Sequence, residues 1–146
     1  MDLSPVPGAG EVARAENRLT LLVLDRRWSN HLRLIEDIRE AVKKLASKYG
    51  REYVEKQARE GGKTTELWQD MGKHGYLGVS IPEEYGGGGG GIGDLAAVCE
   101  ELAAMGCPLL MMVVSPAICG TIISRFGTDD QKQKWLPGIA DGTPVT

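Results

Sequence analysis

A single phenylalanine, two histidines and three cysteines in 146 residues leave little of the usual equipment of a catalytic site. His31 and His74 stand far apart, with no ligand set beside either, and read as surface positions. Cys99, Cys107 and Cys119 are odd in number and lack metal-ligand spacing. They read as small apolar residues of a reducing compartment, so the expected location is cytoplasmic. A basic surface is missing too. The net charge is −3, which argues against a nucleic-acid partner, because neutralising phosphates takes clustered Lys and Arg. The longest apolar run, residues 109–123, falls short of the ~20 residues a membrane span needs, and Ser115, Pro116, Gly120 and Thr121 interrupt it. A buried helix is the expectation there. No basic region followed by an apolar stretch opens the chain, so no secretory signal is visible. Arg14, Arg18, Arg26 and Arg27 are mixed with Asp2, Glu11, Glu16 and Asp25, unlike an acid-poor transit peptide.

What is present is helical pattern. Pro5, Pro7, Gly8 and Gly10 break early structure, and residues 1–30 read as an extension, poorly ordered or loosely packed. Leu19-Thr20-Leu21-Leu22-Val23-Leu24 fits a short strand or a helix. Ile35, Ile38, Val42, Leu45 and Tyr49 recur at +3/+4 and predict a first helix from about His31 to Tyr49. Arg33–Asp37 and Glu40–Lys44 are spaced to support it. Gly50 is a plausible stop, and residues 51–60 extend the helix or form another. Thr64 is placed to cap a short helix carrying Leu67, Trp68 and Met71, with Glu66 in its first turn and Gly75 at its end.

Residues 76–81 are expected to be extended, with Pro82 holding its predecessor out of the helical region. The glycine run 86–91 reads as a flexible connection. It contains G-x-G-x-x-G by density alone, without the strand, helix and acidic residue of a nucleotide fold. A third helix is expected from Asp94 as N-cap, burying Leu95, Val98, Cys99, Leu102 and Met105 and ending at Gly106. Pro108 suits the first turn of a fourth helix running to about Phe126. Thr128 and Gln131 form a capping box for the last helix, Pro137 should kink it, and Gly142 closes it. The fold class is all-α, a helical bundle of four to six helices.

Chemistry-bearing constellations are few. Glu83-Glu84 and Glu100-Glu101 are adjacent pairs, and neighbours on a helix do not face each other, so a solvated or salt-bridged face is the plain reading. Ser115, Cys119 and Thr121 have no histidine at helical spacing, so no triad is indicated and no catalytic residue is assigned. Leu110, Met111, Val114, Ser115 and Ile118 share one face of the fourth helix. By periodicity this stripe is core, or the wall of an apolar ligand pocket.

Three segments carry a resemblance: Pro82-Glu83-Glu84-Tyr85-Gly86-Gly87, then Glu100-Glu101-Leu102, then Gln131-Lys132-Gln133-Lys134-Trp135-Leu136-Pro137. In this order and separation they resemble the N-terminal helical domain of the acyl-CoA dehydrogenase family, over roughly residues 34–146. The resemblance implies an extension (1–30), that helical domain (31–142) and the start of a β domain (143–146). It also implies a parent oxidoreductase that desaturates an acyl-CoA thioester with FAD, passes electrons to an electron-transfer flavoprotein and assembles as a homo-tetramer. The family's pocket positions fall on Leu110, Met111, Val114, Ser115 and Ile118 as substrate-binding residues. The β domain and C-terminal bundle implied by the family are not contained in these 146 residues, so the chain alone is expected to be inactive. It is a piece of a longer product or works with a partner chain. The rival expectation is a non-enzymatic helical module that docks through residues 109–123.

Overall fold

The computed structural model describes residues 9–143, and among them every regular element is helical. Pro5, Pro7 and Gly8, and the expected extended start at Pro144-Val145-Thr146, lie outside the described residues. The chain divides into two compact units, residues 1–36 and 37–146.

Helix α1, Ala9–Ala46, contributes to both units. It begins well upstream of the expected start near His31. No proline follows Pro7 until Pro82, and the intervening Ala, Arg, Leu and Glu are good helix formers, so nothing stops propagation toward Ala9. In the first unit its large apolar residues stay exposed, Leu21 at 65% and Trp28 at 63% among them.

The second unit holds the core. After a turn at Ser47–Tyr49, α2 runs over Gly50–Arg59 and α3 over Thr65–Lys73. Gly50 therefore opens a second helix, at φ +68°, a conformation only glycine adopts without cost. Thr64 occupies the cap position of α3 but its side chain bonds no backbone N–H. Helix α4, Ile92–Ala104, starts two residues before the expected Asp94. Asp94 instead sits in the first turn and reaches back, Oδ2 accepting from the Gly91 N–H at 2.7 Å. Three stretches, Leu110–Met112, Val113–Gly120 and Thr121–Phe126, follow one another without a break and form α5. Helix α6, Asp129–Asp141, opens on the expected capping box: the Gln131 N–H donates to Thr128 Oγ1 at 3.3 Å, and the Thr128 N–H donates to Gln131 Oε1 at 2.9 Å. Pro137 stays within α6, and Gly142 ends it at φ +79°. No described helix is long and apolar enough to cross a membrane.

Apolar residues from all these helices meet in two clusters, α2 through the partly buried Tyr53 and Val54. The larger gathers Val42, Leu45 and Ala46 of α1, Leu67 and Met71 of α3, Leu95, Val98 and Leu102 of α4, and Met112 of α5 around Leu77 and Cys107. The smaller joins Leu136 and Ala140 of α6 to Ile81. Two contacts tie α6 to α3. The indole N–H of Trp68 donates to the Gly142 carbonyl at 2.9 Å. Gly72 lies so close to the α6 backbone that a Cβ there would stand 2.1 Å from the Asp141 carbonyl oxygen.

The stretch 76–91 differs most from expectation. Residues 77–80 are turns, and Glu83–Tyr85 is a single 3-10 turn. The glycine run is not a slack spacer. It folds back over the turn, with Gly88 N–H donating to the Gly78 carbonyl, Gly89 to Ile81 and Gly90 to Val79, at 2.8–2.9 Å. A Cβ on Gly87 would come within 2.1 Å of the Ile81 carbonyl oxygen. Glycine is needed here for close backbone approach, which is a different use from flexibility.

The expected Arg33–Asp37 and Glu40–Lys44 pairs are absent from the ion pairs among the described residues, which join Arg39 to Glu100 and Glu101 and Arg51 to Glu55. The glutamate pair thus sits on a salt-bridged face, anchoring α4 to α1. With Glu100 63% exposed, solvent screens the pair and its contribution to stability is small. A better-shielded pin holds α3. The Tyr49 hydroxyl donates to Asp70 Oδ2 at 2.6 Å, which lowers the Asp70 carboxyl below its ordinary range and, with burial as the larger cause, raises the Tyr49 phenol well above its own.

Two outcomes follow. Gly87→Ala should lower stability by about 2–3 kcal/mol through overpacking, whereas Gly93→Ala, whose Cβ meets nothing within 4 Å on α4, should raise it by roughly 0.5–1 kcal/mol. Urea melts of the two variants check the contrast. A depressed carboxyl contributes stability that is present above its unfolded pKa and lost as pH falls through its folded value. Tyr49→Phe should therefore move the Asp70 titration, followed by carboxyl NMR, up toward the ordinary 3.8. It should also flatten the fall in stability below that pH.

Candidate functional site: the open face of helix α5

Helix α5 has an inner row and an outer face. Met112, Pro116 and Gly120, each four residues from the last, are buried. Proline has no N–H to give and crowds the carbonyl four residues back. The backbone answers by widening, so that residues 113–120 form a π-helical stretch. Such a stretch inside an α-helix is uncommon and is often found at functional positions.

The expectation of a buried helix at 109–123 is corrected. Leu110 is 76% exposed, Met111 55%, Val114 42% and Ile118 50%. Val113, Ile122 and Phe126 continue the apolar surface, and no residue from Leu109 to Ser124 carries a charge. A monomeric domain rarely shows so continuous an apolar face without a use for it. The core alternative for the stripe is thus excluded for Leu110, Met111, Val114 and Ile118, while Ser115 is half-buried.

Two clefts open beside this face. One, of about 490 Å³, is lined by Val54, Ala58, Lys63, Trp68, Leu110 and Met111 among others. The second, of about 560 Å³, is lined by Lys63, Trp68, Met111, Ser115, Trp135 and Ile139 among others. Met111, Trp68 and Lys63 belong to both, so the clefts meet at Met111. The structure brings Leu110, Met111 and Ser115 to these clefts and leaves Val114 and Ile118 on the open surface. Sequence reading missed Trp68 and Lys63 as neighbours of the stripe, because the approach of the α2–α3 connection to Met111 leaves no trace in periodicity. Gly62-Lys63-Thr64 is a Gly-Lys-Thr triplet, but Gln57 stands where a phosphate loop needs its first glycine.

A smaller cleft of about 380 Å³ lies among Ser80, Thr121, Ser124 and Arg125. The hydroxyls of Ser80 and Ser124 are buried there without a partner among the described residues. Elsewhere little chemistry is assembled. Among the described residues no three His, Cys, Asp or Glu side chains come together as a metal site. Cys107 is buried, Cys99 half-buried and Cys119 exposed, all as free thiols, and burial raises the first two above the ordinary thiol range. His74 is exposed, its Nδ1 2.8 Å from the Asp70 carbonyl oxygen.

The glycine run tests whether these residues fit a dinucleotide cofactor. They do not. The N–H groups of Gly88, Gly89 and Gly90 are taken by carbonyls and that of Gly91 by Asp94, so none is left to cradle a pyrophosphate.

Comparison with known proteins identifies relatives of the chain. Residues 35–143 match the family described as acyl-CoA dehydrogenase, N-terminal domain. The chain is 59% identical over 106 residues to acyl-CoA dehydrogenase FadE12 of Mycobacterium tuberculosis H37Rv, covering 73% of this chain and 27% of that protein. It is 32% identical over 104 residues to the mitochondrial long-chain specific acyl-CoA dehydrogenase of Rattus norvegicus, covering 71% and 24%. Among solved structures, acyl-CoA dehydrogenase from Geobacillus kaustophilus superposes with TM-score 0.69 at 28% identity, over 76% of this chain and 29% of that one. A chain from the work titled "Electron transferring flavoprotein of Acidaminococcus fermentans" gives TM-score 0.66 at 32% identity, over 77% and 30%. The chain thus spans less than a third of each of these relatives.

If the face of α5 is open, charge on it is tolerated and charge on the inner row is not. Leu110→Lys should change stability by no more than about 0.5 kcal/mol, while Met112→Lys, burying an unpaired ammonium, should prevent cooperative folding. Thermal melts of the two variants decide it.

Proposed function

The chain belongs to the acyl-CoA dehydrogenase family, as its N-terminal domain, and from that premise we propose that it is the front part of an FAD-dependent enzyme that desaturates acyl-CoA thioesters between the α and β carbons. Its own contribution is one wall of the acyl pocket. The observation that carries this reading is the exposed, uncharged face of α5, with Leu110, Met111, Val114 and Ile118 presented outward and Ser115 beside them. An acyl chain laid against that face leaves water, at roughly 0.8 kcal/mol per buried methylene. The wall orients and desolvates the chain. It carries no charged acid or base, and its Ser115, Cys119 and Thr121 have no histidine at helical spacing, so on this reading the chain supplies binding and the reacting groups belong to the rest of the enzyme.

The flavin, for which the glycine run offers no pyrophosphate cradle, is assigned to the further domains of such an enzyme. On the same reading the 146-residue chain is inactive alone, the parent forms a homo-tetramer, and an electron-transfer flavoprotein accepts its electrons. Residues 31–142 are the family domain proper, and residues 1–30 are an extension to it.

The exposed face also favours a second reading, a helical module or subunit that docks on a partner chain through α5. Flavin absorbance and intact mass of the protein from its source separate the two. Yellow protein far heavier than 15.8 kDa supports the enzyme, and colourless protein of that mass supports the module.

Val114→Trp in the longer enzyme should shorten the pocket. The ratio of kcat/KM for a long acyl-CoA to that for a short one should fall at least tenfold, since each lost methylene contact costs about 1 kcal/mol or more. An unchanged ratio at unchanged stability would remove Val114 from the wall.

A further inference from the structure

The two clefts beside the exposed end of α5 are lined by uncharged side chains with a single exception, Lys63, which lines both. In the first cleft the elements contribute unequally. Pro108, Leu109, Leu110 and Met111 bring only apolar surface from the start of α5. The α2–α3 side adds four polar side chains, Gln57, Lys63, Thr64 and Thr65.

Little inside the domain engages these groups. Lys63 enters no ion pair among the described residues, although Glu60 and Glu66 stand three positions to either side of it. Neither glutamate lines the clefts. Thr64 occupies the cap position of α3 without bonding a backbone N–H. Gly62 leaves room for the Gln57 amide, since a Cβ there would stand 2.3 Å from Gln57 Oε1.

A surface lysine ordinarily lays its stem on apolar neighbours and keeps its ammonium in water. Lys63 does this where the stripe on α5 ends, at Leu110 and Met111, and so sets a positive charge beside whatever lies past the wall. A terminal methyl brought there takes water from an ammonium and from hydroxyls and returns no bond. A terminal carboxylate gains a charge-assisted bond, and no acidic side chain lining the clefts competes for it.

We propose that Lys63 is a specificity-determining residue that receives a carboxylate at the far end of the acyl group, so that CoA monothioesters of dicarboxylic acids are substrates. The methylenes lie against Leu110 and Met111, and the terminal carboxylate meets the Lys63 ammonium with Gln57, Thr64 and Thr65 as neutral donors around it. This inference rests on the reading of α5 as an acyl wall.

Steady-state kinetics of the longer enzyme test it, with CoA esters of dicarboxylic acids set against those of monocarboxylic acids of the same length. Lys63→Met keeps an unbranched side chain and drops the charge. It should lower kcat/KM for the dicarboxylic series by roughly fivefold or more, the weight of one partly exposed ion pair. The loss should fall on KM rather than kcat, because the contact is made equally in ground and transition states. The monocarboxylic series should not lose, and Lys63→Arg should keep most of the dicarboxylic rate. Thermal melts should be unchanged, since Lys63 is exposed. A parent enzyme that does not turn over the dicarboxylic series, or an unmoved ratio between the two series, overturns the proposal. Equal losses in both series overturn it as well, because they assign Lys63 to the CoA moiety that the two share. Val114→Trp separates this failure from failure of the wall. A shifted length preference there, with no response to Lys63→Met, sinks the carboxylate site and leaves the wall, whereas no response to either change removes both.

Discussion

The structure depends on which row of α5 is buried. Met112, Pro116 and Gly120 repeat at four residues. In a regular α-helix a four-residue step carries the next side chain ~40° around the axis, so three such residues would spiral away from a flat core. The wider winding of residues 113–120 lowers the turn per residue, and a thioether, a ring and a bare Cα are all buried. Gly120 lets Ile81 approach so closely that a Cβ would sit 2.6 Å from the Ile81 Cδ1. With this row inside and Ala117 and Ile123 packed beside it, the opposite side of an uncharged helix is left outside. The exposed face of α5 is thus the geometric remainder of a tight inner contact, and the proposed acyl wall follows from the same proline that disturbs the helix.

The backbone near residues 77–91 serves the same contact from the other side. Ile81 fills the smaller core cluster with Leu136 and Ala140, and its position is set by the glycines that fold over the turn. Carbonyls at Gly78, Val79 and Ile81 all accept from the glycine run. A side chain at Gly87 would push that ladder apart. The run looks like low complexity and behaves as a fitted part, because its N–H groups close on the carbonyls of the turn beneath it.

This explains what could be read from sequence. Helices with one-sided apolar spacing and strong punctuation were legible: the α6 capping box at Thr128 and Gln131, the glycine stops at Gly75, Gly106 and Gly142, and the buried face of α4. The family was legible from three short strings. Illegible were features decided by tertiary contact. Thr64 has the right chemistry for a cap and makes no such bond. Residues 76–81 have strand-like composition, and with no neighbouring strand to pair with they turn instead. The stripe on α5 was visible, but periodicity alone gives the same pattern for a core and for a wall. Only the burial of Met112 and Pro116 in its place shows the stripe to be outside.

On the proposed reading, the same geometry bears on the depth of the acyl pocket. Met111 stands where two clefts of about 490 and 560 Å³ meet, with Trp68 and Lys63 beside it. A methionine is a flexible filler that swings at low cost, so a pocket bounded by Met111 can deepen toward Val54 and Ala58 without moving the backbone. On that reading the depth of the pocket depends on what faces this wall. Specificity in such a design belongs to the pairing of an adaptable wall with its opposite, and the α5 face, uncharged from Leu109 to Ser124 and backed by a rigid row, is suited to be the constant half of that pair.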